Sequence, residues 1–373
     1  MIIGIDASRA IKQHKTGVEW YARHVLENII KIDTQNQFVL YVQSAPDEWL
    51  KNLSACPNVR VKYLRWPLRF FWTQGRLSWE MFRRAPEVLF IPASAMPVIC
   101  PKNTVAVLHD VGFMAFPKAY GLGQRWYLRW SVRRAVRRAR AIITISEFSK
   151  KEIIKYFQAD ISKILVTPLG YDKNLFNNQS QAEDEDILRS HHINRPYFLY
   201  VGRLETKKNI LNLLKAFTRV NQDHQYQLVL AGTLGTGFAK IFNFIQQNNL
   251  VNDVIFTGYI LEKNLPALYR QAKIFLFPSL YEGFGLPVLE AMACGTPVIC
   301  SQTTALPETA GAAAQLINPD SIEQIATAIK NIADNEILSR QFVSKGLERV
   351  GGVSWEKCAT QTHSLLVDFK PKL

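Results

Sequence analysis

Nowhere in the 373 residues is there a run of about 18 apolar residues, which argues against a membrane-spanning helix. The five cysteines (Cys56, Cys100, Cys294, Cys300, Cys358) are odd in number, scattered and never in C-x-x-C spacing. Neither a disulfide framework nor a structural zinc site is expected from them, and a reducing cytosol is favoured. The N-terminus, MIIGIDASRA, is an apolar strand followed by charge rather than the reverse, so no signal peptide is expected. No repeat recurs at a solenoid period. With 48% hydrophobic and 20% charged residues the chain is not a disordered one, and its length suits two domains.

Acidic residues are missing altogether between Asp110 and Glu147. Residues 1–180 hold 27 Lys and Arg against 13 Asp and Glu, whereas residues 181–373 hold 18 of each. The whole net charge of +14 therefore sits in the first half. Such asymmetry points to two domains, one with an anionic partner. Nucleic acid, an anionic membrane surface and a phosphorylated substrate all satisfy it.

Short β-branched runs alternate with helix-period segments along the chain. Strands are predicted at 2–5, 38–42, 59–63, 88–91, 105–108, 141–145 and 164–167, then at 197–201, 227–231, 254–257, 274–277, 298–300 and 314–317. Helices fall between them, among others at 19–31, 125–140, 209–220, 288–293 and 322–333. This is the pattern of an α/β chain with parallel sheets covered on both faces. The expected organisation is a Rossmann-like domain over 1–172, a polar linker over 173–195 and a second Rossmann-like domain over 196–356. A final helix at about 357–373 is expected to pack back on the first domain.

The chemistry is densest in 275–297, FLFPSLYEGFGLPVLEAMACGTP. A buried strand ends at Pro278, and a glycine-flanked turn leads into a helix opening near Pro287. Gly283 and Gly285 remove side-chain bulk where amide N–H groups of a helix start can meet phosphate. Glu282 and Glu290, eight residues apart, fall at the same end of the sheet, where carboxylates can accept from sugar hydroxyls.

These residues resemble a known family: the retaining glycosyltransferases of the GT-B fold, family 4, which carry a Glu-x7-Glu motif matched by Glu282 and Glu290. The resemblance runs over essentially the whole chain and is strongest from Tyr197 to Pro319. It implies two Rossmann-like domains facing across a cleft. Glu282 would contact the transferred sugar, Glu290 the nucleotide ribose, and the backbone of Gly283, Phe284, Gly285 and Leu286 the donor sugar and phosphate. The segment from Gly202 to Asn209 is similar to the family's Gly-Arg-x4-Lys-Asn motif. Arg203 and Lys208 flank a turn before a helix that Asn209 is suited to cap, which fits a diphosphate clamp. His109 follows a buried strand at the place of the family's His-Asp pair, which implies contact with the reacting sugar and an orienting role for Asp110. The Lys15–Trp20 loop is similar to the family's donor-side loop, which implies donor contact at Thr16 and Gly17, but it keeps only one of the two glycines usual there. Leu169 likewise replaces the family's usual Asn in the Thr167–Asp172 segment.

The resemblance, which extends to bacterial polysaccharide and O-antigen mannosyltransferases, implies hexose transfer with retention from a nucleotide diphosphate sugar, with a GDP-mannose type of donor. The activity expected is metal-independent and needs no cofactor. Asp184-Glu185-Asp186 matches the Asp-x-Asp of metal-dependent sugar transferases but falls in the polar linker and reads as solvated charge. Two other enzymes share the fold: a nucleotide-sugar epimerase, and a phosphorylase, whose pyridoxal lysine is not identifiable. A basic nucleic-acid-binding protein would explain the charge but not the Glu282/Glu290 loop, so no nucleic-acid partner is expected.

The segment from Arg60 to Arg84 interleaves Trp66, Phe70, Phe71, Trp72 and Trp79 with Arg65, Arg69, Arg76, Arg83 and Arg84. Aromatics anchor at lipid headgroups and arginines meet anionic lipid at about 1 kcal/mol each. Trp66, Arg69, Phe71, Trp72 and Arg76 are accordingly expected on a membrane-facing surface. Arg125, Arg129, Arg133 and Arg137 form a stripe on the neighbouring helix. A lipid-linked saccharide or glycolipid acceptor is implied, with the protein peripheral on the inner, cytoplasmic face of a membrane.

Overall fold

The computed structural model describes residues 1–12, 15–45, 47–68 and 70–368. The chain divides into one unit of residues 1–170 together with the segment from Trp355 onward, and a second unit, Tyr171–Ser354.

The first unit is built on seven parallel strands: β1 Ile2–Asp6, β2 Gln37–Val42, β3 Val59–Tyr63, β4 Val88–Ile91, β5 Thr104–Val107, β6 Ala141–Thr144 and β7 Ile164–Val166, in the order β3-β2-β1-β4-β5-β6-β7. The second holds six: β8 Tyr197–Val201, β9 Gln227–Ala231, β10 Val254–Gly258, β11 Ile274–Phe277, β12 Val298–Ser301 and β13 Ala314–Ile317, in the order β10-β9-β8-β11-β12-β13. Strands such as VLFI of β4 and IFLF of β11 are buried at every position, which explains why they read as unbroken apolar runs. In each sheet the chain winds outward one way and then the other, with the reversal between β1 and β4 and again between β8 and β11. Loops at the carboxyl ends of those strands are where an open parallel sheet offers a ligand site.

The helix Trp355–Val367 packs on the Gly17–Ile32 helix of the first unit. Trp355 stacks on His24 at 5.0 Å, and His363 Nε2 lies 2.6 Å from Asp33 Oδ2. Residues 173–195 are no separate linker: they belong to the second unit and contain the helix Asp184–Ser190. Asp184 is not solvated either. At 1% exposure it takes a two-pronged contact from Arg270, Nε to Oδ2 at 2.7 Å and Nη2 to Oδ1 at 2.5 Å. A buried carboxylate needs such a partner, and this one fastens the segment to the helix Leu265–Arg270. Among the described residues no helix is long and apolar enough to cross a membrane.

Candidate active site

In the second unit the loop leaving β8 begins at Gly202, with φ +146°. Its N–H donates to Ala231 O at 2.8 Å, and a Cβ there would lie 2.8 Å from the Tyr200 hydroxyl. Gly232, at the matching place after β9, is tighter still: a Cβ would stand 2.0 Å from Gly202 O. Asn209, at the start of the Ile210–Val220 helix, adopts φ 62° and makes no capping bond through its side chain. The amide instead donates to Pro278 O at 3.1 Å and Pro319 O at 2.6 Å. With Leu280 N donating to Lys207 O at 2.8 Å, these bonds stitch the β8 loop to the β11 loop.

That stitching brings Lys208 and Glu282 together. Nζ lies 2.5 Å from Oε1, and the ammonium sits 5.3 Å from the centre of the Phe277 ring. Their side chains are only 14% and 13% exposed, so Lys208 is a largely buried cation rather than a solvated one. Arg203, by contrast, is exposed and has no ion pair among the described residues. Beyond Glu282, whose N–H donates to Thr304 Oγ1 at 3.3 Å, Gly285 enters the helix Leu286–Ala293 at φ +107°. A left-handed entry of this kind favours glycine. Thr309 Oγ1 donates to Phe284 O at 2.6 Å and fixes the turn. Glu290 lies within the helix and accepts from the Tyr269 hydroxyl at 2.9 Å on Oε2. Burial raises its pKa to about 7, against the opposing pull of the Tyr269 hydrogen bond. Two carboxylates, two cations and a helix start are thus gathered at the carboxyl ends of β8 and β11. They suit hydroxyl acceptance beside a diphosphate.

In the first unit His109 follows β5 and is buried. Its Nε2 lies 3.1 Å from Pro92 O, with Tyr21 edge-on at 4.8 Å. A carbonyl only accepts, so Nε2 carries the proton and Nδ1 is the acceptor nitrogen. Burial lowers its pKa, which keeps the ring neutral, even though the Pro92 carbonyl and Asp110 pull the other way. Asp110 Oδ1 accepts from Gly112 N at 2.8 Å and shapes the turn that follows. At the start of the Gly17–Ile32 helix, Thr16 N donates to Glu19 Oε2 at 3.2 Å and its hydroxyl bonds the same carboxylate. Arg9 reaches Glu19 Oε1 at 3.2 Å, leaving the Thr16 groups committed to a local network. A Cβ on Gly17 would meet nothing within 4 Å. Tyr269, Thr304 and Gly232 were not legible as site residues. Only Gly232 carried a signal, as a glycine after a buried strand like Gly202.

Residues 16–175 match the profile of Glycosyltransferase Family 4, and residues 183–349 that of Glycosyl transferases group 1. An O-antigen chain mannosyltransferase B of Escherichia coli is 32% identical over 264 residues, covering 70% of this chain and 69% of that protein. The chain belongs to these glycosyltransferases. Sucrose-phosphate synthase from Thermosynechococcus elongatus superposes with a TM-score of 0.79 at 21% identity, covering 98% of both chains. Anabaena HepE, solved in complex with UDP-glucose, gives 0.76 at 18% identity over 98% of this chain and 99% of its own. The fold is GT-B. The chain is a hexosyltransferase.

The aromatic surface of this glycosyltransferase differs from the one expected. Trp72 is 4% exposed, sits in the core with Leu64, Leu77 and Met81, and donates from Nε1 to Leu64 O at 2.9 Å. Trp66 is half-buried over Gly75, with Nε1 donating to Phe70 O at 2.8 Å. Arg76 is paired with Glu80 at 3.2 Å, and Lys62 holds the same carboxylate, so neither cation is spare. Arg69 lies outside the described residues. Phe71, at 64% exposure, is on the surface as expected, together with Leu68, Phe70, Trp79, Phe82, Leu122 and Trp126. Arg129, Arg133 and Arg137 are exposed along the Leu122–Arg138 helix and pair with no carboxylate among the described residues.

Proposed function

We propose that this glycosyltransferase moves mannose from a GDP-mannose type of donor to a lipid-linked saccharide or glycolipid, with retention at the anomeric carbon. The observation that carries the reading is the contact of Lys208 with Glu282 beside the Gly285 helix entrance, with Glu290 in that helix. Lys208, Arg203 and the helix N–H groups take the diphosphate, Glu282 the sugar and Glu290 the ribose hydroxyls. His109, neutral, accepts a sugar hydroxyl on Nδ1. The bond from anomeric carbon to diphosphate oxygen breaks with its electron pair going to that oxygen. The acceptor oxygen bonds to the same face, and its proton passes to the leaving phosphate. The cations stabilise the charge that develops on the diphosphate, so the reading needs no metal or cofactor.

Mannose is supported by the likeness to the mannosyltransferase from Escherichia coli, and a nucleotide diphosphate donor by the HepE complex. A lipid-borne acceptor is supported by the exposed Leu68, Phe70, Phe71, Phe82 and Trp126 in the unit that carries the positive charge. The protein then works peripherally on the cytoplasmic face of a membrane. A thermal-shift panel of nucleotide sugars tests the donor, since a ligand at 100 times its Kd adds about 2.7 kcal/mol of stability. GDP-mannose is expected to stand out, and NMR of the product is expected to show the donor's anomeric configuration. A panel without any response, or an inverted product, overturns the reading.

A further inference from the structure

We propose that Tyr269 is a positioning residue, whose hydroxyl holds the Glu290 carboxylate in place for the ribose diol of the nucleotide. The inference rests on the ribose role given to Glu290 above. Tyr269 is fully buried on the Leu265–Arg270 helix, its ring set edge-on to Phe275 at 5.4 Å and to Phe176 at 6.0 Å. Its own carbonyl accepts from Thr296 Oγ1 at 2.6 Å, so backbone and ring are both fixed. Packing alone would be served by phenylalanine, because a buried hydroxyl is costly unless it finds a partner. The partner here is Glu290 Oε2 at 2.9 Å. A carboxylate has about four acceptor positions. With one taken on Oε2 by a rigid donor, the group is held in one rotamer and Oε1 is presented for the hydroxyls. The same bond opposes the rise in pKa that burial imposes on Glu290, favouring the charged acceptor form.

The test uses the full chain as wild type, Tyr269→Phe, Glu290→Gln and the double variant. GDP, UDP and their 2′,3′-dideoxy counterparts are titrated by calorimetry. Wild type is expected to prefer the ribonucleotide. Tyr269→Phe is expected to weaken that ribonucleotide about 3- to 10-fold, leave the dideoxy form unchanged and add nothing in the Glu290→Gln background. If wild type binds both sugars equally, the ribose role of Glu290 fails, and the proposal with it. If wild type discriminates, Glu290→Gln abolishes the preference and Tyr269→Phe keeps it in full, only the role of Tyr269 fails. An equal loss of both ligands in Tyr269→Phe shows a merely structural residue and also overturns the proposal.

Discussion

The Lys208 ammonium and the Glu282 carboxylate stand 2.5 Å apart with little access to water, each neutralising a charge the donor is expected to use. Removing one partner of such a pair strands the other. Lys208→Ala is therefore expected to lower fold stability by about 1–3 kcal/mol and donor kcat/KM by about 10- to 150-fold. In Lys208→Ala/Glu282→Gln the stability returns while turnover does not. Denaturant melts and donor kinetics on the three proteins check this, and wild-type turnover in the double variant would remove both residues from the donor site.

Arg203 provides the contrast. Its exposed side chain makes no ion pair among the described residues, so Arg203→Ala is expected to leave the melting temperature unchanged. If it clamps the diphosphate, kcat/KM for the donor still falls about 10-fold or more, because a charge-assisted bond is lost. Unchanged kinetics at saturating acceptor would exclude the clamp.

Glu290 makes a pH-dependent prediction. Its pKa rises from 4.5 in the unfolded chain to about 7 in the fold, so the stability linked to it is present in full below about pH 4.5 and is lost as pH rises through 7. Glutamine carries no such charge and can still accept from Tyr269. Glu290→Gln is expected to be more stable than wild type at pH 8 by about 1–3 kcal/mol, with the gain fading toward pH 5. Nucleotide binding moves the opposite way, weakened by the same substitution. Melting curves at the two pH values decide the first point, and calorimetry with GDP and UDP the second.

The thirteen strands among the described residues were readable because most are short runs dominated by apolar and β-branched residues and bounded by polar turns, with VRVKY of β3 an alternating exception, and the structure places them within a residue or two of the pattern. The Glu-x7-Glu spacing and the Gly202–Lys208 turn were equally readable, since each motif is local. What sequence could not show is which distant groups meet. Tyr269 reaches Glu290 across 21 residues, and Arg270 reaches Asp184 across 86, which turns a polar stretch into an anchored helix. The Arg60–Arg84 region was legible only in part, for a related reason. It lacks a single period: after β3 the chain turns, makes one wide helical turn over Thr73–Leu77 and continues as the Ser78–Arg84 helix. Neighbouring aromatics therefore part company, with Trp72 entering the core and Phe71 left outside.

Gly285 is held at φ +107°, and a Cβ there would come 2.5 Å from Leu306 Cδ2. Leucine can give way, but the backbone conformation cannot be made comfortable for alanine. Gly285→Ala is expected to cost about 1–3 kcal/mol and to displace the helix entrance that receives the phosphate. Donor kcat/KM falls with it. A variant with wild-type stability and kinetics would show that this entrance is neither strained nor used.

The membrane surface is tested by separating the two tryptophan-region roles that the fold assigns. Phe70, Phe71 and Trp126 are exposed apolar groups, whereas Trp72 is core. Wild type is expected to co-sediment with vesicles containing anionic lipid at low salt and to detach at high salt, because exposed charges are screened. Phe70→Ser/Phe71→Ser/Trp126→Ser is expected to abolish co-sedimentation with little change in melting temperature. Trp72→Ala, which opens a cavity among Leu64, Leu77 and Met81, is expected to lower stability by about 3–5 kcal/mol instead. Arg129→Gln/Arg133→Gln/Arg137→Gln, with no carboxylate partners to strand among the described residues, is expected to weaken vesicle binding and flatten its salt dependence without unfolding the chain. Indifference of wild type to anionic vesicles at low salt would make a soluble acceptor the better reading of the basic unit.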